Sequence, residues 1–127
     1  MKVLSRILFG ASAVVLGFGA EIHHMAYHRM VFAVDKSNLP TFFGKGFKVL
    51  WLQDSALQII FAIVFAVLAI RPAAAPKWIV IMLALLLLST VAFVYSIIGN
   101  FFGGHIFLAG ALAAILGAFL KSEKRQD

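Results

Sequence analysis

The sequence predicts an all-α fold: an integral membrane four-helix transmembrane bundle, up-down-up-down, with the N- and C-termini cytoplasmic. Three observations carry this. Of the 127 residues 63% are apolar and 13% charged, too little polar surface to coat a soluble body of this size. The apolar residues fall into four long blocks. Each is about 20 residues, the length that crosses a ~30 Å hydrocarbon core at 1.5 Å per residue. Lys and Arg gather at the ends of those blocks, where topology and lipid headgroups place them. β-Barrel strands would be about half as long and would alternate in polarity.

The first span is read over about 3–28. Its apolar run covers Val3 to Ala20, and the helix is expected to continue through a polar end holding Glu21, His23, His24 and His28. This block resembles a secretory signal and is read as a retained span. The second span covers 49–70 and the third 77–98. Arg71-Pro72-Ala73-Ala74-Ala75-Pro76-Lys77 separates them, with Pro76 suited to a helix start. The fourth covers 101–120, after a tight uncharged turn at Gly99-Asn100. All four form a single domain over 1–127.

The one long connection, 30–48, is expected to be an interfacial loop. It interleaves Phe32, Phe42, Phe43 and Phe47 with Lys36, Lys45 and Lys48, around a turn cluster from Asp35 to Pro40. Rings would sit towards the lipid and ammonium groups towards water.

Orientation follows from basic residues. The N-terminus, second loop and C-terminal tail carry seven: Lys2, Arg6, Arg71, Lys77, Lys121, Lys124 and Arg125. The first loop carries four and the third none. The richer side is expected in the cytoplasm, which points to a bacterial inner (plasma) membrane.

Small residues suggest how the spans pack. Gly10 and Gly17 in the first, and Gly103, Gly110 and Gly117 in the fourth, repeat every seven residues. Such spacing lets helices approach closely, so the first and fourth spans are expected to pair antiparallel through these faces. Gly/Ala faces could also serve a homo-oligomer or a larger membrane complex, beside the lipid bilayer itself. Nucleic acid is excluded as a partner, because no basic stripe lies on a polar helix. With no cysteine, thiolate sites and disulfides are excluded.

Ionisable groups within or near spans are costly and therefore point to function. Here they gather towards the outer side: Glu21, the four histidines, and Asp54 with Gln58 one turn deeper. On one helix Glu21, His24 and His28 share a face, whereas His23 points elsewhere. Imidazoles with a carboxylate suit Zn, Fe or Cu, so His24, His28, His105 and Glu21 form the expected metal set. Haem held by two histidines is a weaker variant. Trp51, Asp54, Gln58 and Asn100 form the expected ligand pocket, with Glu21 and Asp54 as candidate catalytic groups. The leading function is binding of a metal ion or small ligand at this pocket, with catalysis as an extension. Alternatives are a structural or accessory subunit and a small proton-coupled transporter. The plain alternative is a solvated polar cluster at headgroup level.

Overall fold

The computed structural model describes residues 2–121. Lys124 and Arg125, two of the basic residues behind the expected orientation, lie outside them. Within them the chain is all-helical, 87% helix with no strand. The helices are α1 (Lys2–Met25), α2 (Tyr27–Asp35), α3 (Thr41–Ile70), α4 (Lys77–Ile97) and α5 (Phe102–Phe119), with a 3-10 turn at Pro72–Ala74. Four helical segments are long and apolar enough to cross a membrane: Val3–Asp35, Thr41–Ile70, Lys77–Ile97 and Phe102–Phe119.

The expected loop over 30–48 takes a different form. α2 fills its first part and the start of α3 its second, so only 36–40 connects them. The hydrogen-bond ladder explains this. The Ala26 N–H donates to the Ile22 carbonyl and the Met30 N–H to the Ala26 carbonyl, both at 3.1 Å. Helical bonding therefore passes through the turn at Ala26 into α2. Lys48 Nζ then meets Asp35 Oδ1 at 2.6 Å. Gly44 packs its bare backbone beside Val34, and a helical hairpin closes.

α1 is the central helix. It packs against both α3 and α5, and α4 packs against α5. Its buried positions are Ser5, Phe9, Ser12, Leu16, Gly19 and Ala20, the alternating three-and-four spacing of a helix with one inward seam. Phe9, Leu16, Phe65, Leu68, Leu87 and Phe107 anchor the apolar core.

The α1–α5 pair forms, and it is antiparallel, but the glycines on its two sides do different things. A Cβ at Gly110 would lie 2.9 Å from Leu16 Cγ, and one at Gly117 would lie 2.9 Å from Phe9 Cε1. Large α1 side chains thus fill the notches of α5. Gly10 and Gly17 turn to α3 instead, towards Ala69 and Ala62. The expected Gly-on-Gly contact is thereby corrected: α1 meets α5 through Phe9, Leu16 and two serines.

Those serines use the backbone that the α5 glycines leave open. Ser5 Oγ donates to the Gly117 carbonyl at 2.7 Å and Ser12 Oγ to the Gly110 carbonyl at 2.8 Å. Interhelical hydrogen bonds in membranes contribute about 0.6 kcal/mol on average and up to about 1.7. Ser12→Ala is expected to lower stability by about that average, and Ser5→Ala similarly. Equilibrium unfolding in mixed micelles measures both.

At the end of the bundle where α1 begins, cations close the helix ends. Arg6 donates to the Ile70 carbonyl at 2.7 Å, Lys121 donates to the Ala75 carbonyl, and Lys77 Nζ lies 4.0 Å from the Phe119 ring centroid. The Arg6 contact complements a free carbonyl at the C-terminus of α3. At the opposite end Gly99 adopts φ 87°, a left-handed conformation that glycine reaches without strain and that turns α4 into α5.

Candidate functional site: a histidine–carboxylate network between α1 and α3

At that opposite end, α1 and α3 place five polar or aromatic side chains in one connected network. His23 comes from α1, seven residues beyond Leu16 on the same inward seam. Trp51, Asp54, Ser55 and Gln58 come from two turns of α3. The close approach that joins them depends on Gly19. A Cβ there would lie 2.9 Å from Gln58 Oε1 and 2.6 Å from Ile106 Cγ2.

Two contacts fix the His23 ring. It stacks on the Trp51 indole with centroids 4.2 Å apart and planes 17° from parallel. Its Nδ1 lies 2.8 Å from Ser55 Oγ. Trp51 Nε1 donates to the His23 carbonyl at 3.0 Å, so ring and backbone are held by the same indole. On the other side of the imidazole, Nε2 lies 3.5 Å from Asp54 Oδ2. Gln58 Nε2 donates to that same Oδ2 at 2.8 Å.

Burial grades along the network. Gln58 and Ser55 are 2% and 4% exposed, whereas the side chains of His23 and Asp54 retain 25% and 37% exposure. The two ionisable members therefore face an accessible edge, and their neutral partners form the floor. Among the described residues the buried polar groups are satisfied by hydrogen bonds.

The hydrogen bonds constrain the protons. Ser55 Oγ donates to the Trp51 carbonyl at 3.3 Å. The 2.8 Å contact at Nδ1 can be met in two ways: Ser55 Oγ–H donates to Nδ1 while Nε2–H turns to Asp54, or Nδ1–H donates to Ser55 Oγ. In the second arrangement a neutral His23 offers a bare Nε2 lone pair to an acceptor oxygen of Asp54. A proton held between Nε2 and Oδ2 turns this repulsion into a charge-assisted bond. The Ser–His–Asp composition makes no nucleophilic triad, because Ser55 is buried at 4% exposure, out of reach of a substrate.

The residues expected from sequence separate into groups. Trp51, Asp54 and Gln58 meet in this network. Asn100 does not join them. It lies at the α4–α5 turn, lining a shallow open depression with Tyr95, Gly99 and His105. His105 turns to α4, where its Nδ1 lies 2.6 Å from the Tyr95 hydroxyl.

The expected metal set of Glu21, His24, His28 and His105 is not assembled. Among the described residues no group of three or more His, Cys, Asp or Glu stands close enough to hold a metal ion. Glu21, His24 and His28 are all exposed, because the face they share is opposite the inward seam of α1. His23, set aside by that face argument, is the histidine that enters the site. Its signal was present in the seam itself: Phe9 and Leu16 extend to position 23 at the same spacing. Ser55 gave no signal beyond its place one turn after Trp51.

No protein family model, no curated protein and no solved structure matches this chain.

Proposed function

We propose that this is a four-span membrane protein whose His23–Asp54 network is a protonatable binding site on the extracytoplasmic side. The spans run in–out–in–out–in with both termini cytoplasmic, in a bacterial inner membrane. Support for the orientation is the excess of Lys and Arg on one side, seven against four. The network lies at the end of the bundle away from Arg6, Arg71 and Lys77. On this reading it lies towards the outer face, within reach of protons and small solutes.

One observation carries the reading: an imidazole and a carboxylate 3.5 Å apart, oriented by neutral partners, in a bundle otherwise built from apolar side chains. Intramembrane ionisable pairs mark proton and ion pathways, and histidine changes charge near neutral pH. Asp54 supplies the anionic surface for a small cationic or hydrogen-bonding ligand. His23 exchanges the proton that balances it. The site works as a binding element whose charge state changes with occupancy.

The test is nitrogen NMR of histidine-labelled protein in lipid nanodiscs. The His23 ring signals are expected to report a proton on Nε2, the nitrogen that faces Asp54, and Asp54→Asn is expected to change its protonation. Signals from His24, His28 and His105 are expected to stay in place. A His23 signal indifferent to Asp54→Asn sinks the proposal.

A further inference from the structure

The α2–α3 hairpin carries apolar rings and cations on its outer surfaces. Phe32, Phe42 and Phe43 are 61%, 80% and 62% exposed. Arg29, Lys36 and Lys45 are exposed as well, and among the described residues none of the three has an ion-pair partner. Lys36 Nζ lies 4.2 Å from the Phe32 ring centroid. Lys48 differs, being neutralised by Asp35.

Height in the bundle shows where this surface lies. Gly19, Gln58 and Ile106 meet at one level. Beyond that level α5 extends only to Phe102, whereas α3 extends to Thr41. At 1.5 Å per residue the hairpin reaches about 20 Å further out than the α4–α5 turn. The exposed face of α3 runs through Ile70, Val67, Ile63, Ile60, Val49 and Phe42, a rise of about 42 Å. That exceeds a ~30 Å core. A span that is too long tilts, commonly by about 20° and up to about 40°. At a tilt of roughly 30° its height would fall to about 36 Å, within the ~40–45 Å that includes both headgroup layers.

We propose that the hairpin is a binding element for the anionic phospholipid headgroups of the leaflet it faces. The phenyl rings reach towards the acyl boundary, and Arg29, Lys36 and Lys45 meet lipid phosphates. Charge complementarity selects this occupant. A second copy side by side would bring identical cations together at one height, and like charges there repel.

The sequence contains no cysteine, so Asn38→Cys offers one labelling site in the connection at the hairpin tip. The protein carrying a nitroxide there is reconstituted in phosphatidylcholine vesicles with and without phosphatidylglycerol. Collision with a water-soluble nickel chelate and with oxygen reports depth. The label is expected at headgroup depth, deeper and better shielded when phosphatidylglycerol is present. In the triple variant Arg29→Gln, Lys36→Gln, Lys45→Gln the anionic-lipid preference is expected to fall about fivefold for each cation removed. Free nickel access in both vesicles overturns the proposal, and so does shielding indifferent to phosphatidylglycerol. Dipolar broadening between labels also overturns it, in favour of an interface between copies. If the triple variant fails to fold, the comparison of the two vesicle compositions decides alone.

Discussion

Gly110→Ala and Gly117→Ala are expected to destabilise the bundle by about 1–3 kcal/mol each, the range for overpacking a filled core. Gly10→Ala and Gly17→Ala, the same chemical change on a partner helix, are expected to stay within about 0.5 kcal/mol of the parent. The contrast comes from what the new methyl meets. At Gly110 it would lie 2.9 Å from Leu16 Cγ, and Leu16 is fully buried. At Gly117 it would lie 2.9 Å from the ring of Phe9, also fully buried. Neither side chain can retreat without moving a helix. A shift of α5 would also lengthen the Ser5 and Ser12 bonds to its carbonyls. At Gly10 and Gly17 the methyl would find an Ala Cβ at 3.9 and 3.8 Å, which is ordinary contact and adds dispersion. Unfolding of the four variants in mixed micelles measures the contrast. Equal losses at all four positions would mean that α1 packs on α5 in some other register.

The same seam explains what could be read from sequence. Block length and composition locate four spans because lipid imposes a minimum length and forbids an unsatisfied backbone. The heptad glycines of α5 announce a close helix pair for the same physical reason. Partner choice was not legible, since a glycine notch records that something enters it without naming the side chain. The hairpin was misread for a related reason. Phe42, Phe43, Lys45 and Phe47 have an interfacial composition, and composition does not separate a helix from a loop at that depth. At the site, charge drew attention to Glu21, His24 and His28, which share a face. Burial selects a different face. Phe9 and Leu16 define the inward seam, and His23 is the ionisable residue that continues it. Apolar periodicity read through the polar end of α1 identifies His23, whereas metal-ligand spacing read alone identifies its exposed neighbours.

Asp54→Leu is expected to cost about 1–3 kcal/mol, the penalty for leaving a buried polar group without its partner. The group left behind is the Gln58 carboxamide, 2% exposed, whose Nε2 donates to Asp54 Oδ2. Water cannot replace the lost acceptor easily, because Gly19 and Ile106 close around the other end of the same amide. Gln58→Leu is expected to cost less. It orphans Asp54, whose side chain keeps 37% exposure. The double change Asp54→Leu, Gln58→Leu removes both partners, so its cost is expected to fall short of the sum of the two by about 1 kcal/mol or more. His23 then loses the group facing Nε2 but keeps Ser55 and the Trp51 stack, so its ring should stay in place. The cycle is measured by unfolding in mixed micelles in a Trp78→Phe background, where Trp51 is the one remaining tryptophan and its fluorescence is a local probe of the stack. Strict additivity would show that Asp54 and Gln58 do not share a bond in the bilayer. A stable double variant with an unmoved indole would show that the fold is held without the Asp54–Gln58 bond.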